Sequence, residues 1–194
     1  MLNLAVEENI PMIAVIFRLV AHKGVDLLKS ICNELMGENV QLVILGKGNA
    51  EYEAFFSHQQ TQYPHKLAAV IAYNQDLSHK IYAAADIFLM PSKSEPCGLS
   101  QMIASRYGAL PVVRETGGLY DSIRDCGGDG AYGNGITFAQ YTAADFLNAV
   151  RRAIKLYRNK EVWSTLIPRV MNVDFSWRNS AKEYIDMYDR LMQN

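Results

Sequence analysis

With 194 residues, 49% apolar side chains and a formal net charge of −1, the chain can bury a core but offers no basic face to nucleic acid or an anionic membrane. No apolar run approaches membrane-spanning length, and residues 1–11 lack the basic-then-apolar order of a secretory signal. Three widely spaced cysteines, Cys32, Cys97 and Cys126, form no C-x-x-C pair and read as reduced thiols of a cytoplasmic protein.

Strand and helix signals alternate along the chain. M-I-A-V-I-F (12–17) is a continuous apolar run, as expected of a strand buried on both faces. Residues 24–36 carry Val25, Leu28, Ile31, Cys32 and Leu35 at helical spacing. Strands are expected at 40–45, 66–73, 87–90 and 110–114, with a last short one at 136–138. Helices are expected around 52–60, at 77–85 with Asp76 as cap, at 98–107 and at 119–123. A glycine-rich loop, C-G-G-D-G-A-Y-G-N-G, occupies 126–135. Beyond it the pattern is helical: 142–157 capped by Thr142, 160–171, and 177–192 with Ser176 as candidate cap. Alternation of this kind predicts an α/β fold, a Rossmann-like parallel sheet with helices on both faces and C-terminal helices. Residues 1–158 form the sheet unit and 159–194 a helical extension packing on it.

Open parallel sheets bind ligands at the carboxyl ends of their strands. In R-L-V-A-H-K-G, Arg18 and Lys23 follow the first strand and precede a helix start, where they can hold phosphate or stand as solvated surface charges. In P-S-K-S-E-P-C-G-L-S-Q (91–101), Pro96 keeps Glu95 out of the helix and Gly98 allows close backbone approach. The N–H groups of Gly98, Leu99 and Ser100 then open a helix and suit a diphosphate, with Glu95 aimed at sugar hydroxyls beyond it. The plainer alternative is a capped strand-to-helix turn. G-K-G-N-A-E (46–51) is half a dinucleotide fingerprint with Glu51 at the third glycine position, better read as a tight turn. Tyr73 ends a strand and can stack on a nucleobase or close the core edge. Trp163 and Trp177 read as packing residues of the terminal helices. The four histidines have no metal-ligand spacing, and there is no D-x-D.

Together, R-L … K-G (18–24), P-S-K-S-E-P-C-G-L-S-Q, R-Y-G (106–108), P-V-V-R (111–114), T-G-G-L (116–119) and D-F-S-W (174–177) resemble the bacterial glycogen synthase and plant starch synthase family. That resemblance implies a retaining glycosyltransferase of two Rossmann-like domains, of which this chain matches the C-terminal, donor-binding one. It implies transfer of glucose from ADP-glucose to an α-1,4-glucan, with no metal and no cofactor beyond the donor. Arg18 and Lys23 would hold the diphosphate, and Glu95 the donor glucose. The Gly98, Leu99 and Ser100 amides would cradle the distal phosphate with the Ser100 hydroxyl helping, Cys97 counts with them among the donor-binding residues, and Tyr73 would stack on the base. The family's N-terminal acceptor domain, with its K-T-G-G-L motif, is absent, so the chain alone is expected to be inactive. The competing expectation is a non-catalytic nucleotide-sugar-binding or regulatory module. Phe17, His22, Ser94 and Ile103 depart from the family's usual residues, flanking the matched charges without removing them. Without a partner domain, the apolar faces carrying Ile154, Leu156, Trp163, Leu166, Tyr184 and Tyr188 are expected to be partly exposed and to favour self-association.

Overall fold

The computed structural model describes residues 2–192. Its centre is a sheet of six parallel strands: β1 (Met12–Ile16), β2 (Gln41–Leu45), β3 (Leu67–Val70), β4 (Ile87–Met90), β5 (Leu110–Arg114) and β6 (Ile136–Phe138). They lie in the order β3-β2-β1-β4-β5-β6. Residues directly opposite include Ile13 with Leu42 across β1 and β2, and Ile13 with Ile87 across β1 and β4. Parallel pairing demands a crossover between successive strands, which explains why both faces are covered and why β2 and β4 are buried along their whole length.

Helices α1 (Val25–Gly37), α2 (Ala50–Gln62) and α6 (Ala143–Arg158) cover one face. Helices α3 (Gln75–Ala84), α4 (Ser100–Arg106) and α5 (Gly117–Ser122) cover the other. The two-residue period of a strand sorts the core accordingly. Ile13 and Val15 pack with Leu28, Ile31, Phe146 and Val150, whereas Ala14 between them packs with Phe88, Ala104 and Leu119. Helix α7 (Lys160–Met171) lies against α6 and α4, and α8 (Trp177–Met192) follows. None of the helices among the described residues is long and apolar enough to cross a membrane.

Several expectations change in detail. The cap of α3 is Asn74, whose Oδ1 accepts the Leu77 N–H at 2.9 Å; Asp76 already lies inside the helix. Helix α4 opens at Ser100 and not at Gly98, because Gly98 has a left-handed φ of +74° that no helix continues through. The apolar residues expected at the surface divide sharply. Ile154, Leu156 and Leu166 are buried, since α6 packs on β5 and β6 and α7 packs on α6. Trp163 is half-buried, edge-on to Tyr157. Tyr184, Tyr188 and Trp177 are exposed, and α8 buries no residue. Trp177 therefore does not pack as expected. Thr142 does cap α6, accepting the Asp145 N–H at 3.2 Å.

Candidate functional site

Strand order reverses between β1 and β4, so the turns that leave these two strands diverge around a crevice. At its base the turns touch through backbone. Gly24 has φ +79°, and a Cβ there would lie 2.1 Å from the Pro91 carbonyl oxygen. The Lys93 N–H donates to the His22 carbonyl at 2.9 Å. Only glycine permits that approach.

The contact decides where two charges go. Lys23 Nζ reaches Glu95 Oε2 at 2.5 Å, and the Ser92 hydroxyl donates to the same oxygen at 3.2 Å. Glu95 is 7% exposed, so these two partners offset much of the cost of burying its oxygen. Its other oxygen, Oε1, takes no hydrogen bond from the described residues and is not sealed from solvent. One face of the carboxylate is thus committed to the fold, while the other can accept from a ligand hydroxyl.

The turn after β5 closes the same side. Gly117, with φ +47°, and Gly118 run so close to this loop that added Cβ atoms would sit 2.3 Å from the Glu95 carbonyl and 2.1 Å from that of Cys97. The Gly118 N–H donates to the Glu95 carbonyl at 3.0 Å. Gln101, fully buried, holds the Cys97–Gly98 segment through Nε2, donating to the Gly98 carbonyl at 2.9 Å and to the Ser122 hydroxyl at 3.1 Å. The N–H groups of Gly98, Leu99 and Ser100 meet no acceptor among the described residues. Cys97 is exposed and Leu99 is 66% exposed.

The other side is open. A cavity of about 460 Å³ is lined by the apolar Ile16, Phe17 and Leu45, by Tyr73 and Asn74 following β3, and by the exposed Arg18 and Lys47. That volume suits a small organic ligand, and an apolar floor beside an aromatic ring suits a flat heterocycle. Tyr73 is 89% exposed, so it does not close the core edge. Arg18 is exposed as well. The sequence-expected residues therefore fall into two neighbouring groups: Arg18 and Tyr73 on the cavity, and Lys23, Glu95 and the Cys97–Ser100 turn around the crevice.

Sequence reasoning missed Tyr141. Its hydroxyl donates to Asp26 Oδ1 at 2.6 Å, and its ring carries Lys93 Nζ and the Arg114 guanidinium 5.8 and 5.4 Å from its centroid. Burial, then the bond to Asp26, raises its phenol pKa. The ring ties α1 to the Pro91–Glu95 turn from outside, and nothing in the sequence around Tyr141 signals this. Cys32 and Cys126 are buried, which pushes their thiols up to about 11 and makes them inert.

A family model described as glycosyl transferases group 1 matches residues 3–165. A glycogen synthase of Clostridium acetobutylicum is 49% identical over 189 residues, 97% of this chain and 40% of that protein. One from Anoxybacillus flavithermus is 46% identical over 190 residues, 98% of this chain and 39% of the relative. The catalytic domain of starch synthase IV from Arabidopsis thaliana, solved bound to ADP and acarbose, matches with a TM-score of 0.87 and 38% identity, covering 100% of this chain and 41% of that one. Sucrose-phosphate synthase from Thermosynechococcus elongatus shares the fold at a TM-score of 0.67 and 20% identity. The chain thus spans about 40% of the length of the glycogen and starch synthases it matches.

Proposed function

Because the chain belongs to the glycosyl transferases group 1 family, we propose that it is the donor-binding part of a glycogen synthase that takes ADP-glucose. The observation that carries this reading is the pairing of Lys23 with a half-used Glu95 beside an open cavity that holds Arg18 and Tyr73. Support comes from the starch synthase neighbour, whose catalytic domain was solved bound to ADP and acarbose.

In the proposed reaction the bond from the glucose anomeric carbon to the diphosphate oxygen breaks, a new one forms to the oxygen of an α-1,4-glucan hydroxyl, and that hydroxyl's proton passes to the departing diphosphate. Negative charge grows on the departing ADP. Arg18, as a planar fork of donors, and Lys23, as a point charge, stabilise it. Gly98, Leu99 and Ser100 supply unpaired N–H groups to the distal phosphate, with Cys97 alongside. Glu95 Oε1 accepts hydroxyls of the donor glucose, and Tyr73 stacks on the adenine. The glucan acceptor is held by residues outside this chain, so the chain alone binds donor without elongating glucan. The exposed apolar face of α8 (Tyr184, Ile185, Tyr188, Leu191) favours self-association of the isolated chain, which light scattering at increasing concentration reads directly.

The test is calorimetric titration of the chain with ADP, ADP-glucose and UDP, beside an Arg18→Ala/Lys23→Ala double variant. ADP binding in preference to UDP, lost in the variant, is the expected result. A folded chain that binds none of them overturns the reading. Glucan elongation by the chain alone would remove its claim of inactivity.

A further inference from the structure

The carboxyl ends of the strands present five cations, and three are already engaged. Lys23 is paired with Glu95. Lys93 and Arg114 lie over Tyr141, and Arg114 also donates to the Lys93 carbonyl at 2.8 Å. Arg18 and Lys47 differ from these. Both line the cavity, both are exposed, and neither side chain makes a hydrogen bond, ion pair or ring contact among the described residues.

Backbone geometry holds these two next to each other. The Leu19 N–H donates to the Lys47 carbonyl at 2.9 Å, and the Asn49 N–H donates to the Leu19 carbonyl at 2.8 Å. Leu19 and Gly48 form an isolated parallel bridge. A Cβ on Gly46 would lie 2.0 Å from the Phe17 carbonyl oxygen, and one on Gly48 2.0 Å from that of Leu19. The two glycines of G-K-G thus bring the β2 turn onto the β1 turn with no side chain between them, and the residue they flank is the lysine. Among the described residues, no carboxylate lines the cavity. Glu53 stands nearby in the chain, but its Oε1 accepts the Gly48 N–H at 2.7 Å. Two like charges on one cavity with no carboxylate in its lining favour a bound anion.

We propose that Lys47 is a further donor-binding residue, which together with Arg18 holds the phosphate nearest the nucleoside. The distal phosphate is then left to Lys23 and the Gly98–Ser100 turn. The inference rests on the donor reading above and names a contact that the sequence motifs do not. An ammonium with three donors suits a phosphate oxygen, while the base end of the cavity has Tyr73, Asn74 and Gln75.

The test titrates the unsubstituted chain, Lys47→Ala and Lys47→Arg with adenosine, AMP and ADP at two salt concentrations. Lys47→Ala should weaken AMP and ADP by about tenfold, the size of one lost charge-assisted contact. It should leave adenosine and the melting temperature unchanged and flatten the salt dependence, and Lys47→Arg should restore binding. Unchanged AMP and ADP affinity in Lys47→Ala, or an equal loss for adenosine, overturns the inference and leaves the donor reading intact. Failure of the unsubstituted chain to bind ADP removes both.

Discussion

The crevice and the cavity lie side by side at one edge of the sheet, yet they are built by opposite means. Around the crevice, Gly24, Gly117 and Gly118 press three turns into backbone contact, and the charges of Lys23 and Glu95 answer each other. Around the cavity, Arg18, Lys47 and Tyr73 stand exposed without partners among the described residues. The first arrangement fixes shape, and the second leaves binding capacity unspent. A site of this kind needs both, because a ligand gains most from groups that are held in place but not already satisfied.

That contrast can be broken most forcefully at Gly24. Gly24→Ala must displace the Pro91 carbonyl and adopt a left-handed φ, so a stability loss of about 3 kcal/mol or more is expected in urea unfolding. An unchanged midpoint would mean that the turns are not held by their backbones. Next comes Glu95. Glu95→Ala leaves the Lys23 ammonium unpaired in a half-buried place and should cost about 2 kcal/mol. In calorimetry it should also weaken ADP-glucose more than ADP, since the carboxylate is assigned to the sugar; equal losses would move its role to the diphosphate. On the open side the pattern inverts. Tyr73→Ala should leave stability within about 0.5 kcal/mol while weakening ADP roughly tenfold. A large fall in melting temperature would make Tyr73 part of the scaffold.

The smallest effect concerns charge in the scaffold beyond the crevice. Burial opposes ionisation of Asp125, but its bonds to Arg152, Thr137 and Gly127 outweigh this and lower its carboxyl pKa. A carboxyl with a depressed folded-state pKa contributes stability above its unfolded pKa and loses it as pH falls through the folded value. The stability difference between the unsubstituted chain and Asp125→Asn should therefore be full at pH 6 and shrink below about pH 4. A difference independent of pH would assign the effect to hydrogen-bond shape alone.

Much of this molecule was legible in its residues. The bounds of β4, β5, β6 and α7 follow from apolar runs and caps and agree with the structure. What periodicity does not carry is the identity of the surface that covers an amphipathic face. Helices α6 and α8 both show a strong apolar stripe, yet α6 buries eight residues and α8 none. Expecting Ile154 and Leu156 of α6, and Leu166 of α7, to be partly exposed follows from treating these helices like α8. The Lys23–Glu95 pair spans 72 positions and exists only because the chain reverses between β1 and β4. Composition contains no trace of such a contact. Lys47 escapes sequence reading for a related reason: G-K-G resembles half a dinucleotide fingerprint, and the turn it packs against, after β1, is remote in sequence.

The uneven distribution of the three thiols has a practical consequence. Cys32 and Cys126 are shut inside the core, and Cys97 sits at the surface within the turn that faces the crevice. A thiol-reactive fluorophore should therefore label the folded protein at one position without any engineering. The dye would stand beside the region assigned to the distal phosphate, so occupancy could be followed optically in dilute solution. Protection of Cys97 from the reagent by ADP would serve as an independent footprint of the ligand.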